Sequence, residues 1–343
     1  MDSDVSKKSQ LQKLAYISLT EYFQEHDNEV VEITILPPSV QPPDGVLIQE
    51  GSSLGISKKA LTLAYMEARR LFFENRQSND PSTINQTTQA TKIILLFDPE
   101  HLTAANYRKR VLAQLESEHK LHAGNIFPKA LQRELYFLDS VLTSPLHRQS
   151  KSPTLWYHRS RIVDSLILVH LTDTSDDQRM VFWNNELEAV CKSGEQHPKN
   201  YHAWQYARRL VQKAHSLGQD DQFAQLVKKW CCRHPSDISG WSFLLYLMPR
   251  LAPSLRQELV SNVLDYAIKF SIENESLWVF IRTALAQNMS SADHSVAYRR
   301  LQDYVQNLTN KERPQDEAHA ASNALKWIDT YGRHIGSQRV VDY

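Results

Sequence analysis

The sequence predicts an all-α protein: a right-handed α-α superhelix, or solenoid of antiparallel helix hairpins, with a short extended or β insert near the N-terminus. Segments centred on tryptophan recur along the 343 residues and carry the apolar periodicity of a helix. Glycine is scarce, with 9 residues in the chain, and the clear glycine- and proline-rich stretches lie in the N-terminal part. We therefore expect a single helical-repeat domain over residues 1-343.

The helical pattern is interrupted at residues 30-56. This segment, VVEITILPPSVQPPDGVLIQEGSSLGI, combines β-branched runs with paired prolines, which break a regular helix and favour extended chain. We predict a non-helical insert with room for two small strands. Ser57 then stands where a helix cap is expected, and apolar residues follow at helical spacing from Leu61 to Phe72.

Five segments align on a central residue, and successive centres stand 51, 48, 37 and 37 residues apart. An aromatic ring or a histidine lies two positions after each centre, and apolar pairs lie six or seven positions after it. Because offsets 0, +3 or +4 and +7 share one helix face, each centre marks a buried stripe. We predict five repeats over residues 90-290, centred on Ala105 and on four tryptophans that form the repeat core: Trp156, Trp204, Trp241 and Trp278.

Each centre helix follows another amphipathic segment, such as ALQRELYFLDSVL or DDQFAQLVKKWCCRH. Helix pairs of this kind bury their apolar faces only against a neighbouring repeat, as in an α-solenoid. The tetratricopeptide repeat is the competing pattern, but it requires a glycine in W-x2-L-G-x2-Y. The residues after Trp204 read QYARRLV and lack that glycine.

Composition narrows the function classes. Lys+Arg 39 and Asp+Glu 39 give a formal net charge of zero, so the broad positive field that attracts nucleic acid or anionic membranes is missing. The polar first twenty residues predict no signal peptide, and no apolar run approaches the ~20 residues of a membrane span. The three cysteines lack metal-site spacing and are interpreted as reduced thiols. We expect a cytoplasmic protein without a metal of its own.

The repeats resemble those of protein prenyltransferase α subunits. PKNYHAWQYARR is similar to the family core P-K-N-Y-x-x-W-x-H-R, and SKSPTLWYHRSR keeps its Lys, Trp, His and Arg. DPEHLTAANYRKRVL resembles the first repeat of geranylgeranyltransferase α subunits, with Ala105 in place of tryptophan. The last two repeats keep only Trp and apolar positions, so the resemblance covers about Leu95 to Leu285.

A narrower similarity lies in the N-terminal insert and in KSPTLW. Both resemble the divergent α-like members of the family, the α-like subunit of a third type of protein geranylgeranyltransferase. The resemblance implies a heterodimer in which this chain wraps a prenyltransferase β subunit, of the Rab geranylgeranyltransferase type, and helps to choose the acceptor. The β subunit would hold zinc and the isoprenoid diphosphate, and this chain would be inactive alone. The implied acceptor is a protein such as a farnesylated SNARE.

In the relatives, the lysine of the motif faces the diphosphate, where Lys and Tyr side chains can neutralise charge on the leaving group. The resemblance gives this catalytic role to Lys151 in the second repeat and to Lys199, Tyr201 and His202 in the third. Pro153 replaces the second-repeat tyrosine, so one hydroxyl donor is lost. The structural alternatives are a solvated or loop-bound Lys151 and a capping or packing role for the Tyr201–His202 pair.

Four arginines follow the repeat centres and are predicted to bond across adjacent repeats or to the β subunit, because buried guanidinium groups need carboxylate or carbonyl partners. They are Arg108, Arg159, Arg208 and Arg209. The RKR run that begins at Arg108 is too short to indicate nucleic-acid binding.

Three function classes stay open at this point. The first is the α-like subunit of a prenyltransferase, which the retained lysine and NYHAW favour. The second is a degenerate, non-catalytic adaptor that binds a β subunit or a prenylated cargo, which SFLLY and VFIRT favour because they stand where H-R is expected. The third is an unrelated helical scaffold for peptides.

Overall fold

The computed structural model describes residues 2–122, 124–171, 174–214, 218–287, 294–310 and 320–335. These residues form fifteen α-helices and one three-stranded sheet, so the prediction of an all-α repeat fold with a strand insert is confirmed. The chain divides into two compact units, unit 1 up to Tyr206 and unit 2 from Ala207. A solenoid can divide in this way, because each of its repeats contacts only the neighbouring repeats. The single domain predicted over residues 1-343 therefore stays a prediction. Residues 123, 172–173, 215–217 and 288–290 of the predicted repeat range lie outside the described residues.

In unit 1 the first turns of several helices are capped by a preceding side chain. Ser57 Oγ accepts a hydrogen bond from the Ala60 amide at 3.1 Å, which confirms the predicted helix start. The helices are α1 (Asp2–Glu25), α2 (Lys58–Asn75), α3 (Pro81–Phe97), α4 (Leu102–Leu121), α5 (Ile126–Leu142), α6 (His147–Ser150), α7 (Pro153–Leu166) with a π-helical turn Ile167–Leu171, α8 (Asp176–Gln196) and the start of α9 (Tyr201–Ala214).

The N-terminal insert folds into a small mixed sheet with the strand order β1-β3-β2. β1 (Glu32–Leu36) pairs in parallel with β3 (Ser53–Ser57), and β2 (Leu47–Glu50) pairs antiparallel with β3. The sequence predicts two strands and the structure has three. The additional central strand reads SLGIS and contains one β-branched residue, so strand propensity gives little sign of it. The Val31 amide donates to Ser140 Oγ on α5 at 2.8 Å and thereby fixes the insert to the helices.

Unit 2 continues the helical pattern after α9. Its helices are α10 (Asp220–Arg233), α11 (Ile238–Leu247) with a 3-10 turn Met248–Arg250, α12 (Pro253–Lys269), α13 (Glu275–Ala286), α14 (His294–Asn310) and α15 (Ala320–Ile335). Asp237 caps α11 by accepting hydrogen bonds from the amides of Ser239 and Gly240 at 2.9 and 3.0 Å.

The four central tryptophans are buried on α7, α9, α11 and α13. In three of them the indole Nε1–H donates to a backbone carbonyl six residues earlier, a contact we call the indole latch. Trp156 bonds Ser150 at 2.8 Å, Trp241 bonds Pro235 at 3.0 Å and Trp278 bonds Ile272 at 2.6 Å. The latch joins each of these three centre helices to the residues that precede it. It also satisfies an indole donor that burial would otherwise leave without a partner.

Two of the central tryptophans also pack against the ring two positions after the next centre. Trp156 lies 5.2 Å from Tyr206 within unit 1, and Trp241 lies 5.1 Å from Phe280 within unit 2, each with a 39° angle between the ring planes. The same geometry therefore joins successive centre helices in both units. Ring contacts of this kind add to the free energy gained from burying apolar area.

Candidate functional site

A buried ion pair joins α4 to α5 in unit 1. Arg108 is 2% exposed, and its Nε donates to Glu134 Oε1 at 2.7 Å. One of its terminal nitrogens donates to the Thr88 carbonyl at 2.9 Å and to Thr91 Oγ1 at 2.8 Å, both on α3. His158 Nε2 on α7 lies 2.8 Å from Glu134 Oε1. Burial disfavours the charged carboxylate, but Arg108 and His158 outweigh it and hold the pKa of Glu134 well below its usual range.

A second buried pair repeats this arrangement one repeat later. Arg159 is 1% exposed, and two of its nitrogens each lie 3.0 Å from an oxygen of Glu186 on α8. Its third nitrogen, Nη1, donates to Asp139 Oδ1 on α5 at 2.6 Å. The Tyr206 hydroxyl donates to the same Glu186 carboxylate. In both pairs the arginine stands three positions after one centre, and the side chain two positions after the next centre bonds the same glutamate.

Sequence reasoning named the two arginines but missed their glutamate partners. A signal was available: Glu134 lies three residues after Leu131 and four before Leu138, and Glu186 lies three after Trp183 and four before Val190. Both glutamates therefore fall on apolar helix stripes, where an acidic residue needs a buried cation.

Unit 2 fills the corresponding positions with apolar side chains. Leu244 stands three positions after the fourth centre, Phe280 stands two positions after the fifth, and both are fully buried. In the degenerate repeats, apolar side chains thus replace the arginine and the ring-bearing side chain that bond each buried glutamate of unit 1.

The two predicted catalytic lysines come to one edge of unit 1. Lys151 lies between α6 and α7, is half-buried, and its Nζ donates to the Pro198 carbonyl at 3.3 Å. Lys199 follows Pro198 directly and precedes α9. We call the edge formed by Lys151, Lys199, Tyr201 and His202 the lysine edge. The turns before α7 and α9, each of which carries one of the motif lysines, are therefore in direct contact.

A buried amide holds these two turns together. Asn200 Nδ2 donates to the Ser150 carbonyl at 3.0 Å and to Ser193 Oγ at 2.9 Å, and the residue is fully buried. Sequence reasoning gave Asn200 no role of its own, although it is part of the NYHAW motif. Beside it, Lys199 has a φ of 60°, a left-handed conformation that is uncommon for a lysine. Such backbone strain is frequent at functional sites.

Tyr201 and His202 form the first turn of α9. Tyr201 is 60% exposed, and its hydroxyl accepts a hydrogen bond from Gln205 Nε2 at 2.7 Å, so its O–H remains directed to solvent or a partner. The rings of Tyr201 and His202 meet edge to face at 5.4 Å. Nearby, burial of His197, followed by the influence of His147 and Lys151, lowers the pKa of the His197 imidazole. This edge can therefore present ammonium groups and a phenol to an anionic ligand.

The two remaining predicted arginines lie on α9 in unit 2. Arg208 is half-buried and donates to Ser242 Oγ at 3.1 Å, and its guanidinium lies 5.5 Å from the centre of the Tyr246 ring. Arg209 is exposed. Arg108 and Arg159, by contrast, bond other helices of unit 1. A role of the four arginines in partner binding stays a prediction.

The part of the chain that the structure describes holds neither a metal-ligand cluster nor a helix that could span a membrane. No group of three or more His, Cys, Asp or Glu side chains there is placed to hold a metal ion. None of the helices within those ranges combines the length and the hydrophobicity of a membrane span.

The fold and the lysine edge define an all-α helical-repeat protein. Comparison with known proteins shows to which proteins this chain is similar. The geranylgeranyl transferase type-2 subunit alpha of Rattus norvegicus is 29% identical over 191 residues, which are 55% of this chain and 29% of that protein. The protein prenyltransferase alpha subunit repeat-containing protein 1 of Danio rerio is 23% identical over 257 residues, 69% of this chain and 55% of that protein. This chain is a homologue of prenyltransferase α-subunit-like proteins at modest identity, and the family predicted from its motifs is confirmed.

A further relationship runs through the central repeats. The family model for the ECM9 middle domain matches residues 155–268. Protein ECM9 of Saccharomyces cerevisiae is 25% identical over 232 residues, which are 67% of this chain and 58% of that protein. The chain thus matches 29% to 58% of the length of these relatives.

Proposed function

We propose that this chain is the α-like subunit of a heterodimeric protein prenyltransferase that transfers a geranylgeranyl group to a cysteine of a protein acceptor. The observation that carries the proposal is the lysine edge, where the Lys151 ammonium bonds the backbone directly before Lys199. Both lysines belong to the repeats that keep the prenyltransferase motif. The similarity to a geranylgeranyl transferase type-2 subunit alpha supports the same function.

In this function the chain supplies positive charge and a hydroxyl. Lys151, Lys199 and the exposed phenol of Tyr201 would face the diphosphate as it leaves, and His202 would support the same edge. Groups fixed in advance around a developing negative charge lower the barrier more than mobile groups do. The buried Asn200 amide provides that fixation, because it holds the two lysine-bearing turns together.

The other components belong to partners in this proposal. A β subunit of the Rab geranylgeranyltransferase type would hold zinc and the isoprenoid diphosphate, and zinc would activate the acceptor cysteine as a thiolate. The acceptor would be a cytoplasmic protein such as a farnesylated SNARE. This chain would help to choose the acceptor and would have no transferase activity alone.

A second candidate is a non-catalytic adaptor that binds a β subunit or a prenylated cargo. The ECM9 match favours it, because that match includes the second, third and fourth repeat centres without depending on a transferase relative. The apolar residues at the equivalent positions of unit 2, Leu244 and Phe280, are consistent with repeats that have only a structural role.

Co-expression with each candidate prenyltransferase β subunit tests both functions. Co-purification shows whether a heterodimer forms, and transfer of a labelled isoprenoid to candidate acceptors shows whether it is active. A heterodimer that transfers the label supports the α-like subunit. A heterodimer that is inactive with every acceptor supports the adaptor. The lack of any complex would exclude the α-like subunit and an adaptor for the β subunit, and would leave only an adaptor for a prenylated cargo.

Lys151→Ala should lower the transfer rate of the heterodimer by about 10²-fold, the loss seen when one charge-stabilising donor is removed from an active site. The half-buried lysine makes a single long bond to Pro198, so the variant should still assemble. Labelled-isoprenoid transfer and co-purification measure the two properties on the same sample.

The matched control is Lys120→Ala, since Lys120 is exposed on α4 and pairs with Glu116 one helical turn earlier. This variant should keep the full rate. Loss of the heterodimer in Lys151→Ala would instead place Lys151 among the structural residues.

A further inference from the structure

A cavity of about 420 Å³ lies among α3, α4 and α5 of unit 1 and does not include the lysine edge. Its volume is within the range of about 300–1,000 Å³ that is typical of small-molecule sites. Aliphatic side chains form part of its wall, and a lysine, Lys92, lies in its lining together with Gln89. The aliphatic lining residues are Ile84, Val111, Leu112 and Leu115.

Lys92 is the unusual member of this lining. It is 6% exposed, and its Nζ donates to the Phe23 carbonyl at 3.4 Å, near the outer limit for a hydrogen bond. The Phe137 ring centre lies 5.9 Å from the same nitrogen. An ammonium group has three donors, so most of its hydrogen-bonding capacity is unused among the described residues.

The other cations in the lining already have carboxylate partners. Arg108 bonds Glu134, and Arg133 Nε lies 2.9 Å from Asp27 Oδ2. Within the part of the chain that the structure describes, no carboxylate lies within ion-pair distance of Lys92. The lining therefore holds one buried ammonium group without a counter-ion.

This ammonium group lowers the stability of the fold. Burial, followed by the nearby charge of Arg108, lowers the pKa of Lys92 from 10.5 to about 8, although Glu134 and Asp27 act in the opposite direction. Between these two values the unfolded chain keeps a proton that the folded chain has released, so stability rises with pH across that window. A methionine at position 92 has a similar length and no charge, so it would avoid the free-energy cost of burying an ammonium group. Capping of α1 does not offset this cost. Phe23 is near the end of α1, but a single long hydrogen bond from Lys92 to the Phe23 carbonyl stabilises the helix end only weakly.

We propose that this cavity binds a monoanionic amphiphile, an aliphatic carboxylate whose head bonds Lys92 and whose chain lies on Ile84, Val111, Leu112 and Leu115. The charged lining residues are three cations and three anions, the latter being Asp27, Glu118 and Glu134. A single negative charge beside Lys92 gives this ammonium group a local counter-ion, whereas the two charges of a phosphate dianion would be repelled more strongly by the three carboxylates.

Titration of the purified full chain with sodium octanoate, followed by calorimetry, tests this site. Octanoate should bind at a ratio of one per chain at pH 7, and 1-octanol and octyl phosphate should bind at least tenfold more weakly. Between pH 7 and pH 9 the affinity for octanoate should fall about tenfold, because the pKa of Lys92 is about 8 and its ammonium group loses its proton in that range. Equal binding of octanol, or no saturable binding of octanoate, would overturn the proposal.

Lys92→Met should reduce the octanoate affinity at least tenfold at pH 7 and raise the melting temperature at the same pH. A lower octanoate affinity together with a higher melting temperature would show that the variant has lost a ligand contact and not its fold. Leu112→Phe narrows the cavity without changing Lys92 and should also reduce binding, with folding checked by circular dichroism. Lys120→Met, at an exposed position of α4, is the matched control and should bind octanoate normally. Retained affinity in both Lys92→Met and Leu112→Phe would refute the site.

Discussion

Replacing Arg159 with alanine should lower the free energy of unfolding by about 3–5 kcal/mol, because it leaves a buried carboxylate without its cation. Glu186 is almost fully buried and receives two bonds from this guanidinium at 3.0 Å. Asp139 loses its bond to the same side chain. Urea denaturation of the full chain at pH 7, followed by circular dichroism, measures the change.

Arg148→Ala is the matched control for this experiment. The Arg148 side chain is 65% exposed and pairs with Asp98 at 3.1 Å, so its loss should cost about 0.2–1 kcal/mol. A third variant, Arg159→Leu with Glu186→Leu, should recover part of the lost stability, because it removes both charges together. If Arg159→Ala were as mild as Arg148→Ala, the buried pair would not be a main support of unit 1.

Trp156→Ala should lower the free energy of unfolding by about 3–5 kcal/mol through lost burial and the cavity that remains. The indole lies in the core, packs against Tyr206 at 5.2 Å and makes the indole latch to Ser150 at 2.8 Å. The same denaturation measurement applies. A loss of this size is a large part of the total stability of a typical domain, about 5–15 kcal/mol.

Tyr157→Ala provides the comparison within the same helix. Tyr157 is 49% exposed, so its removal should cost about 1 kcal/mol or less. Trp156→Phe should fall between the two alanine variants, because it keeps a buried ring and loses the latch. Equal effects of Trp156→Ala and Tyr157→Ala would mean that the repeat centre does not organise the core.

The helical part of the fold could be predicted because its signal is repeated. Trp156, Trp204, Trp241 and Trp278 mark the same position of four helices, and each apolar stripe supports the next. The central strand of the insert could not be predicted in the same way. It is five residues long, contains a serine at each end, and obtains its stability from neighbours that are distant in sequence.

The lysine edge was predictable in its membership but not in its geometry. The motif supplies Lys151 and Lys199, but only the folded chain shows that one bonds the backbone beside the other. Lys92 was missed because TKIILLF resembles the end of an ordinary buried helix, where a lysine usually extends its charged group to solvent. Whether that group reaches water or a cavity depends on helices far away in the sequence.

Leu244 and Phe280 stand at the repeat positions that Arg159 and Tyr206 occupy around Glu186, and this replacement has a consequence for the temperature dependence of stability. The penalty for removing charges from water falls on heating, whereas apolar contacts weaken on cooling. Both kinds of contact are therefore weaker in the cold. On heating, the buried ion pairs of unit 1 continue to gain strength, whereas the apolar contacts of unit 2 approach a plateau. The balance of stability between the two groups of repeats should thus move towards the ionic repeats of unit 1 as the temperature rises.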